Sequence, residues 1–310
     1  MDLKYFIESQ QVDHLLLYEI FELADRIRQR PFAFAESLKG KVLATLFYEP
    51  STRTRLSFES AMLKLGGQVV STENAKEFSS AVKGESIEDT ARIVSAYADA
   101  IVIRHYLDGA AKKAAEASSV PVINAGDGKG QHPTQALLDV YTIYREFGSL
   151  CNLKIALVGD LASGRTVRSL CYLLGKVGKN IEFIFVSPQH LKMGQDIKDY
   201  LTKHEISFRE EEDLSKVLPI ADVIYMTRIQ KERMSLEEYE QAKGKYVLNM
   251  ENLGLVRAGA RIMHPLPHVE ELDFPFDVEQ KDLRIAYFRE AANGLYVRMA
   301  LLQMMLKERE

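Results

Sequence analysis

The amino-acid sequence predicts an α/β protein built from two doubly wound parallel-sheet domains joined by a helix, with a C-terminal helix returning to the first domain. Apolar runs of strand length alternate with segments of helical periodicity, which is the pattern of parallel strands connected by helices. The chain has 310 residues, more than one hydrophobic core usually serves, so two domains are expected. Its composition, 46% hydrophobic and 27% charged, is typical of a globular protein.

The first domain is predicted over residues 1–132. A strand at 42–48 leads into a helix whose apolar residues share one face, and Gly66 and Gly67 end that helix. The alternation continues with a helix near 87–97, a strand at 100–103, a helix near 109–118 and a strand at 120–125. One parallel sheet accounts for this order.

A long helix over 133–148 is predicted to connect the domains, because Gly148 stops it and a second alternating series follows. The second domain is predicted over 149–286, with strands at 155–159, 181–187, 221–227, 246–250 and 261–263 and helices such as 165–177. The last segment, 287–310, has helical propensity and an apolar face. We expect it to pack on the first domain.

The formal net charge of −4 gives no general attraction to nucleic acid or to an acidic membrane surface, so any anion site must come from a local cluster. Cys151 and Cys171 lack the spacing of a metal site or a disulfide framework, which fits a reducing cytoplasm. The N-terminus lacks a basic stretch followed by an apolar run, and no segment offers about 18 consecutive apolar residues. We therefore expect a cytoplasmic protein with no membrane anchor and no bound metal ion.

Hydroxyl and guanidinium groups gather where the first of these predicted strands ends and a helix begins. The segment contains Ser51, Thr52, Arg53, Thr54 and Arg55. Free backbone N–H groups and the positive end of the helix dipole favour an anion there, and an arginine fork matches a phosphate. The hydroxyls alone would fit an ordinary N-cap. Two arginines would repel the helix dipole unless an anion were present, so the segment predicts a phosphate site.

Two further polar clusters follow strands of the same predicted sheet. Arg104 comes after the strand 100–103. A glycine-rich turn at 126–131 follows the next strand, and His132 and Gln135 then open the connecting helix, where they can donate hydrogen bonds into the same cleft. His132 alone would more simply be a structural histidine, but its place after a strand of this sheet makes it a candidate ligand.

In the second domain, residues 159–166 come close to the phosphate loop of nucleotide-binding proteins, but Arg165 stands where that motif requires lysine. Arg165 can still bind a carboxylate or a phosphate, and a nucleotide-binding module is kept as a minor alternative. The run 227–233 contains Arg228 and Gln230 and would otherwise be a solvated charged surface.

The sequence contains no recognisable Cys-His or Ser-His-Asp nucleophile arrangement, zinc-ligand spacing or acidic metal cluster. It offers many anion binders and hydrogen-bond donors instead. This inventory suits a direct group transfer between two anionic substrates, without a cofactor.

Six segments of the chain, in this order, resemble the aspartate carbamoyltransferase family. They are Ser51-Thr52-Arg53-Thr54-Arg55, Arg104-His105, His132-Pro133-Thr134-Gln135, Gly164-Arg165-Thr166-Val167, the run from Thr227 to Arg233, and His264-Pro265-Leu266-Pro267. Ornithine carbamoyltransferases, in the same wider family, typically have His-Cys-Leu-Pro in place of the last segment and lack the elements around Arg165 and Arg228. An acceptor with two carboxylates calls for two arginines, so aspartate fits better than a cationic amine.

The resemblance implies transfer of the carbamoyl group from carbamoyl phosphate to L-aspartate, giving N-carbamoyl-L-aspartate and phosphate in de novo pyrimidine biosynthesis. For carbamoyl phosphate, the resemblance implies that the phosphate is bound by Ser51, Thr52, Arg53 and Thr54. The carbonyl group would contact Thr54, Arg104 and His132. The amino group would contact Gln135 and the backbone carbonyls of Pro265 and Leu266, which precede Pro267.

On the acceptor side, the resemblance implies that Arg165, Arg228 and Gln230 bind aspartate and that Lys83 enters from a neighbouring subunit of a homotrimer. The chain departs from the family's usual residues at Val82, Tyr106, Ala162, Ser163 and His268. These departures concern affinity for aspartate and closure of the site more than the binding of carbamoyl phosphate.

Two other functions remain open at this point: a carbamoyltransferase for another amino-acid acceptor, and a catalytically inactive structural or regulatory relative. The sequence does not decide whether a separate regulatory chain binds, whether a trimer assembles further, or whether nucleotides regulate the protein.

Overall fold

The computed structural model of the chain describes residues 3–229 and 244–307. The chain forms two structural units. The first unit contains the residues up to Tyr141 together with those from Ala292 onward, and the second unit is Thr142–Ala291. The chain therefore passes from one unit to the other twice.

The first unit is built on one parallel sheet. Its strands are β1 (Tyr5–Phe6), β2 (Val42–Phe47), β3 (Gln68–Glu73), β4 (Ala100–His105) and β5 (Val122–Asp127). They lie in the order β1-β5-β4-β2-β3. The three inner strands are aliphatic and almost entirely buried, as strands of a parallel sheet covered on both faces are, whereas the edge strand β3 is largely exposed.

Helices connect these strands. They are α1 (His14–Gln29), α2 (Thr52–Lys64), α3 (Ala75–Phe78), α4 (Ile87–Val94), α5 (Ala110–Ala117) and α6 (Pro133–Phe147), the last of which continues into the second unit. Short 3-10 turns cover Ser9–Gln11, Pro31–Phe34 and Ser80–Lys83. Side chains start two of the helices: Asp13 accepts a hydrogen bond from the Leu16 amide at 2.9 Å, and Ser86 accepts one from the Asp89 amide at 3.0 Å.

The second unit repeats the plan. Its strands are β6 (Lys154–Val158), β7 (Glu182–Val186), β8 (Ser207–Glu211), β9 (Val223–Met226), β10 (Leu248–Asn249), β11 (Arg261–Met263) and β12 (Leu272–Asp273). Five of them form a parallel sheet in the order β11-β9-β6-β7-β8, and β10 pairs with β12 in a separate parallel pair. The helices are α7 (Arg165–Val177), α8 (Gln195–Lys203), α9 (Phe276–Lys281) and the start of α10 (Tyr287–Leu306), with 3-10 turns at Gln189–Leu191, Leu214–Lys216 and Leu253–Leu255.

The predicted fold class is confirmed, including the return of the C-terminal helix. From Ala292 onward α10 belongs to the first unit, where Ser37 Oγ donates to Gln303 Oε1 at 2.6 Å and the Arg298 guanidinium lies 5.1 Å from the ring centroid of Phe58. The predicted strand at 246–250 is an exception, because β10 pairs with β12 instead of joining the main sheet.

No helix within the described ranges is long and apolar enough to cross a membrane. The same residues contain no group of three or more His, Cys, Asp or Glu side chains that could hold a metal ion.

Candidate active site

Each of the two five-stranded sheets has one topological switch point, where the order in which the chain adds strands reverses direction. In the first sheet the chain runs from β2 outward to β3 and later builds β4 and β5 on the other side of β2, so the reversal lies between β2 and β4. In the second sheet it lies between β6 and β9 for the same reason. Doubly wound folds bind ligands beyond the carboxyl ends of the strands at such switch points. The residues that follow these four strands are therefore the first candidates.

Ser51 joins the end of β2 to the start of α2. Its backbone is extended (φ −160°, ψ 91°) and its side chain makes no cap hydrogen bond to the described backbone, so the ordinary N-cap interpretation is not realised. Thr52 and Arg53 are exposed at this helix end, and Thr54 is buried with 6% of its surface exposed. An uncapped N-terminus at the positive end of the helix dipole, with hydroxyls and a guanidinium around it, is suited to a phosphate.

Arg104 lies on the other side of the first switch point. It is paired in register with Phe47 at the end of β2, and the register of β4 with β5 shifts beside it, an irregularity of the kind that re-aims a side chain. The guanidinium Nη1 donates to the carbonyl of Ala125 at 3.3 Å, and Nε lies 3.6 Å from Oε2 of Glu49. Arg104 therefore stands next to the entrance of α2.

His132 and Gln135 occupy the first turn of α6 and its approach. Thr54 Oγ1 lies 3.5 Å from His132 Nε2, which joins the α2 entrance to the start of α6. The hydroxyl of Thr134 lies 3.4 Å from His132 Nδ1, and Gln135 Nε2 donates to Asp139 Oδ1 at 2.8 Å. All five side chains are buried. The first unit thus brings Thr54 and His132 into contact and holds Gln135 on a buried carboxylate.

Asp127 shapes the glycine-rich turn that leads to His132. Its Oδ1 accepts hydrogen bonds from the Gln131 amide and from Asn124 Nδ2, both at 3.1 Å. Gly128 has φ +46°, and a Cβ there would come within 1.9 Å of Asp108 Oδ1. The glycines of this turn were recognised from the sequence, but no role was predicted for Asp127 or Asn124. An aspartate between two glycines is a turn signal that could have identified the first of them.

Lys83 ends the 3-10 turn Ser80–Lys83 and is exposed. The segment that carries it is linked to the end of β4 by aromatic contacts. Lys76 Nζ lies 4.9 Å above the ring centroid of Tyr106, which in turn stacks on His105 with centroids 4.3 Å apart. Tyr106, a departure from the family's usual proline, therefore gives this segment a cation–π contact.

In the second unit, Arg165 and Arg228 follow the two strands that flank the switch point. Arg165 begins α7 after the loop that leaves β6, and Arg228 comes two residues after β9; both are half-buried. The two strand ends are in close contact, because a Cβ on Gly159 would come within 2.3 Å of the Thr227 carbonyl oxygen. Gln230, the third predicted aspartate ligand, lies outside the described residues.

Pro265, Leu266 and Pro267 follow β11, the strand next to β9. Leu266 has a left-handed backbone with φ +57°, and the Leu266–Pro267 peptide bond is cis. His264 Nδ1 accepts a hydrogen bond from the Leu266 amide at 2.7 Å, and His264 Nε2 lies 2.9 Å from Oε1 of Glu271. From the sequence, His264 was recognised only as part of a motif, and no role was predicted for Glu271.

Those predicted site residues that the structure describes lie, with one exception, at the carboxyl ends of strands in the two main sheets. In the first unit the candidates follow the neighbouring strands β2, β4 and β5, and in the second they follow the neighbouring strands β6, β9 and β11. Each edge combines anion-binding side chains with backbone groups. Lys83 is the exception, since it belongs to a separate exposed turn.

Comparison with known proteins gives one consistent family. Residues 4–145 match the family described as "Aspartate/ornithine carbamoyltransferase, carbamoyl-P binding domain", and residues 151–305 match "Aspartate/ornithine carbamoyltransferase, Asp/Orn binding domain". The chloroplastic aspartate carbamoyltransferase of Arabidopsis thaliana is 54% identical over 309 residues, covering 98% of this chain and 78% of that protein. The aspartate carbamoyltransferase catalytic subunit of Methanocaldococcus jannaschii is 47% identical over 317 residues, covering 99% of each.

Solved structures agree. The catalytic subunit of M. jannaschii aspartate transcarbamoylase superposes with a TM-score of 0.88 at 46% identity, over 97% of each chain. Aspartate transcarbamoylase from Trypanosoma cruzi, in complex with N-(phosphonacetyl)-L-aspartic acid, superposes with a TM-score of 0.91 at 36% identity, over 98% of this chain and 96% of that one. This chain therefore belongs to the aspartate/ornithine carbamoyltransferase family, on its aspartate carbamoyltransferase branch.

Proposed function

We propose that this chain transfers the carbamoyl group of carbamoyl phosphate to the amino group of L-aspartate, giving N-carbamoyl-L-aspartate and phosphate. The observation that carries the proposal is the presence of anion-binding groups at both switch points, with Arg53 and Arg104 in the first unit and Arg165 and Arg228 in the second. A phosphate monoester and a dicarboxylate are the anions that such groups recognise. The T. cruzi relative has been crystallised with carbamoyl phosphate and aspartate together.

The first unit binds carbamoyl phosphate in this proposal. The phosphate lies at the N-terminus of α2, and its contacts are Ser51, Thr52, Arg53 and Thr54. Thr54, Arg104 and His132 donate to the carbonyl oxygen, which supports polarisation because Thr54 and His132 are already within 3.5 Å of each other. The amino group is held by Gln135 and by the carbonyls of Pro265 and Leu266, in the turn that Pro267 completes.

The second unit binds L-aspartate. Arg165 and Arg228 each pair with a carboxylate through the planar guanidinium, and Gln230 adds an amide contact. Lys83 reaches the aspartate from a second copy of the chain, in the homotrimer that the family resemblance implies. Residues 1–132 serve as the carbamoyl-phosphate domain, 133–148 as the connecting helix, 149–286 as the aspartate domain and 287–310 as the returning helix.

The reaction is a direct displacement. The deprotonated amine of aspartate attacks the carbonyl carbon, and the C–N bond forms as the carbonyl electrons move to the oxygen. Arg104, His132 and Thr54 stabilise this oxyanion. The carbonyl then re-forms as the bond from carbon to the phosphate oxygen breaks, and the departing phosphate accepts the amine proton. Orientation and electrostatic stabilisation supply the rate acceleration, and no covalent bond to the protein is formed.

The test is an assay of the purified chain with carbamoyl phosphate and either L-aspartate or L-ornithine, following phosphate and the carbamoylated amino acid together. We expect equal amounts of phosphate and N-carbamoyl-L-aspartate, and no product from ornithine beyond the background. Release of phosphate without carbamoyl-aspartate, or a preference for ornithine, would contradict the proposal.

Arg228→Ala tests the acceptor contact in the same assay. Loss of a charged hydrogen-bond partner should raise the aspartate KM about tenfold or more while the KM for carbamoyl phosphate changes little. An equal rise in both constants would argue against a role of Arg228 in binding the acceptor.

The cellular location is part of the proposal. We keep cytoplasmic as the prediction, although several plant relatives are named as chloroplastic proteins. Fractionation of the source cells with an antibody to the chain tests it.

A further inference from the structure

Two buried titratable side chains are joined by hydrogen bonds to the turn that contains Pro265 and Leu266. His264 is 2% exposed and Glu271 is 4% exposed. Neither has a role in the contacts proposed above. Their hydrogen bonds nevertheless connect them directly to that turn.

The hydrogen bonds define the tautomer of His264. Because Nδ1 accepts the Leu266 amide at 2.7 Å, the ring proton belongs on Nε2, which donates to Glu271 Oε1 at 2.9 Å. The same carboxylate oxygen accepts the Val269 amide at 3.1 Å, and the backbone amide of His264 donates to Glu290 Oε2 at 2.8 Å. The imidazole is therefore held from both sides.

Glu271 is a charged acceptor in this arrangement. Burial alone would raise the pKa of its carboxyl group, but the hydrogen bonds from His264 and from backbone amides hold that pKa below its usual range. The carboxylate thus keeps the imidazole in the tautomer whose Nδ1 can accept the Leu266 amide.

The bond to the Leu266 amide also sets the direction of a carbonyl. The amide N–H of Leu266 and the carbonyl of Pro265 belong to one planar trans peptide unit, so they point in opposite directions. Fixing the N–H on His264 therefore aims the Pro265 carbonyl away from the imidazole. Leu266 then holds φ +57°, which is unfavourable for a residue with a Cβ and persists only where neighbouring contacts impose it.

We propose that His264 and Glu271 are positioning residues that aim the carbonyls of Pro265 and Leu266 at the amino group of carbamoyl phosphate. Glu271 acts on His264, and His264 acts on the turn. The inference rests on the proposed function and adds to it the groups that orient the backbone.

The test uses two variants of His264 that differ in where they place an acceptor. Asparagine can put its Oδ1 where Nδ1 lies and still accept the Leu266 amide, whereas glutamine places its amide near the Nε2 position and loses that bond. Binding of freshly dissolved carbamoyl phosphate and of inorganic phosphate is measured by calorimetry without aspartate. Inorganic phosphate serves as the internal control, because it has no amino group for the carbonyls to contact.

We expect His264→Gln to raise the Kd for carbamoyl phosphate about tenfold, the loss typical of one hydrogen bond, and to leave the Kd for phosphate within about twofold. His264→Asn should bind carbamoyl phosphate more tightly than His264→Gln. Among Glu271 variants, Glu271→Gln keeps an acceptor for Nε2 and should stay close to the unmodified chain, whereas Glu271→Leu should resemble His264→Gln.

A parallel loss of carbamoyl phosphate and phosphate binding would overturn the proposal, since it would show general damage to the protein. Unchanged carbamoyl phosphate binding in folded His264→Gln would overturn it as well. If Glu271→Leu does not fold, the comparison of His264→Asn with His264→Gln still tests the proposal. Failure of the proposed function would be recognised separately, because the unmodified chain would then neither bind carbamoyl phosphate nor carbamoylate aspartate.

Discussion

At the residue scale, the two arginines near the start of α2 have different environments. Arg53 is exposed at the helix end, whereas Arg55 pairs with Glu73 at 2.7 Å and with Glu59 at 3.4 Å. The prediction that both arginines need a bound anion was therefore too broad, because Glu59 and Glu73 already neutralise the charge of Arg55. The sequence could have indicated the Glu59 pair, because Glu59 lies four residues after Arg55 in α2. It could not indicate the Glu73 pair, because Glu73 becomes a neighbour only when β3 pairs with β2.

This difference predicts separate effects of matched substitutions. Arg53→Ala and Arg104→Ala should each lower kcat/KM by about 10²–10³ while the chain stays folded, because each removes a donor aimed at a developing charge. Arg55→Ala should instead lower the free energy of unfolding by about 1 kcal/mol and leave turnover largely intact. Steady-state kinetics and urea unfolding of the three variants would decide, and near-normal turnover in Arg53→Ala would refute the phosphate assignment.

His105 predicts a pH dependence of stability. It is 3% exposed, lies between Tyr48 and Tyr106, and accepts the Leu107 amide on Nδ1 at 3.0 Å. Burial lowers its pKa from 6.5 to about 4, with Glu49 opposing the shift. The unfolded chain therefore binds more protons than the folded chain between these values. This contribution to stability is present above about pH 6.5 and is lost as the pH falls towards 4.

His105→Asn keeps an acceptor for the Leu107 amide and removes the titration. Relative to this variant, the unmodified chain should lose about 2 kcal/mol of unfolding free energy between pH 7 and pH 5. Urea unfolding at the two pH values measures the difference. An identical pH dependence in both proteins would show that His105 does not titrate in this way.

At the element scale, the positions of central strands and long helices could be predicted from the sequence more reliably than those of edge strands and short strands. The bounds of α6 and α7 agree with the sequence prediction, because each helix repeats its apolar face over several turns between clear start and stop signals. The edge strand β3 was missed, since its largely exposed residues lack a continuous apolar run. The partner of β10 could not be predicted either, because pairing with β12 depends on a contact distant in sequence.

The segment from α3 to Lys83 gives a prediction of its own. One of its links to the end of β4 is the stack of Lys76 on Tyr106, a contact of about 0.5–1 kcal/mol at an exposed site. Tyr106→Ala should therefore increase amide hydrogen exchange over residues 75–84 and raise the aspartate KM about two- to fivefold. Lys76→Met should do the same, and Lys76→Arg should not. Unchanged exchange in Tyr106→Ala would show that the stack does not hold the segment.

The side chains proposed to contact the substrates could be predicted from the sequence. The buried carboxylates that hydrogen-bond to neighbouring site residues were not predicted. Arg104, Arg165 and Arg228 were identified because polar residues directly after apolar strands meet at one edge of a parallel sheet. Asp139 behind Gln135 and Glu271 behind His264 were not identified. Asp139 lies four residues after Gln135 in α6, a spacing that could have indicated the contact. Glu271 lies in a loop, and only its hydrogen bond in the folded chain distinguishes it from other carboxylates.

At the scale of the whole molecule, the proposed trimer predicts complementation between inactive chains. Lys83→Ala lacks the residue given to a neighbour, and Arg53→Ala lacks a residue of its own site. When equal amounts of the two chains are dissociated and reassembled together, roughly a quarter of the sites of a symmetric ring should be intact. Activity should then rise well above that of either variant reassembled alone. No gain on mixing, with mixed trimers verified by mass, would mean that Lys83 does not act across subunits.

The return of α10 has a consequence for synthesis on the ribosome. Val297, Leu301 and Leu302 are buried, and their stretch of α10 belongs to the first unit, whose sheet is complete by Asp127. The amino-terminal unit, although translated first, therefore lacks part of its core until α10 has been added. The second unit is contiguous, from Thr142 to Ala291, so it is the unit whose sequence becomes complete first. A nascent chain should accordingly expose apolar surface of its amino-terminal half to chaperones until α10 has left the ribosome.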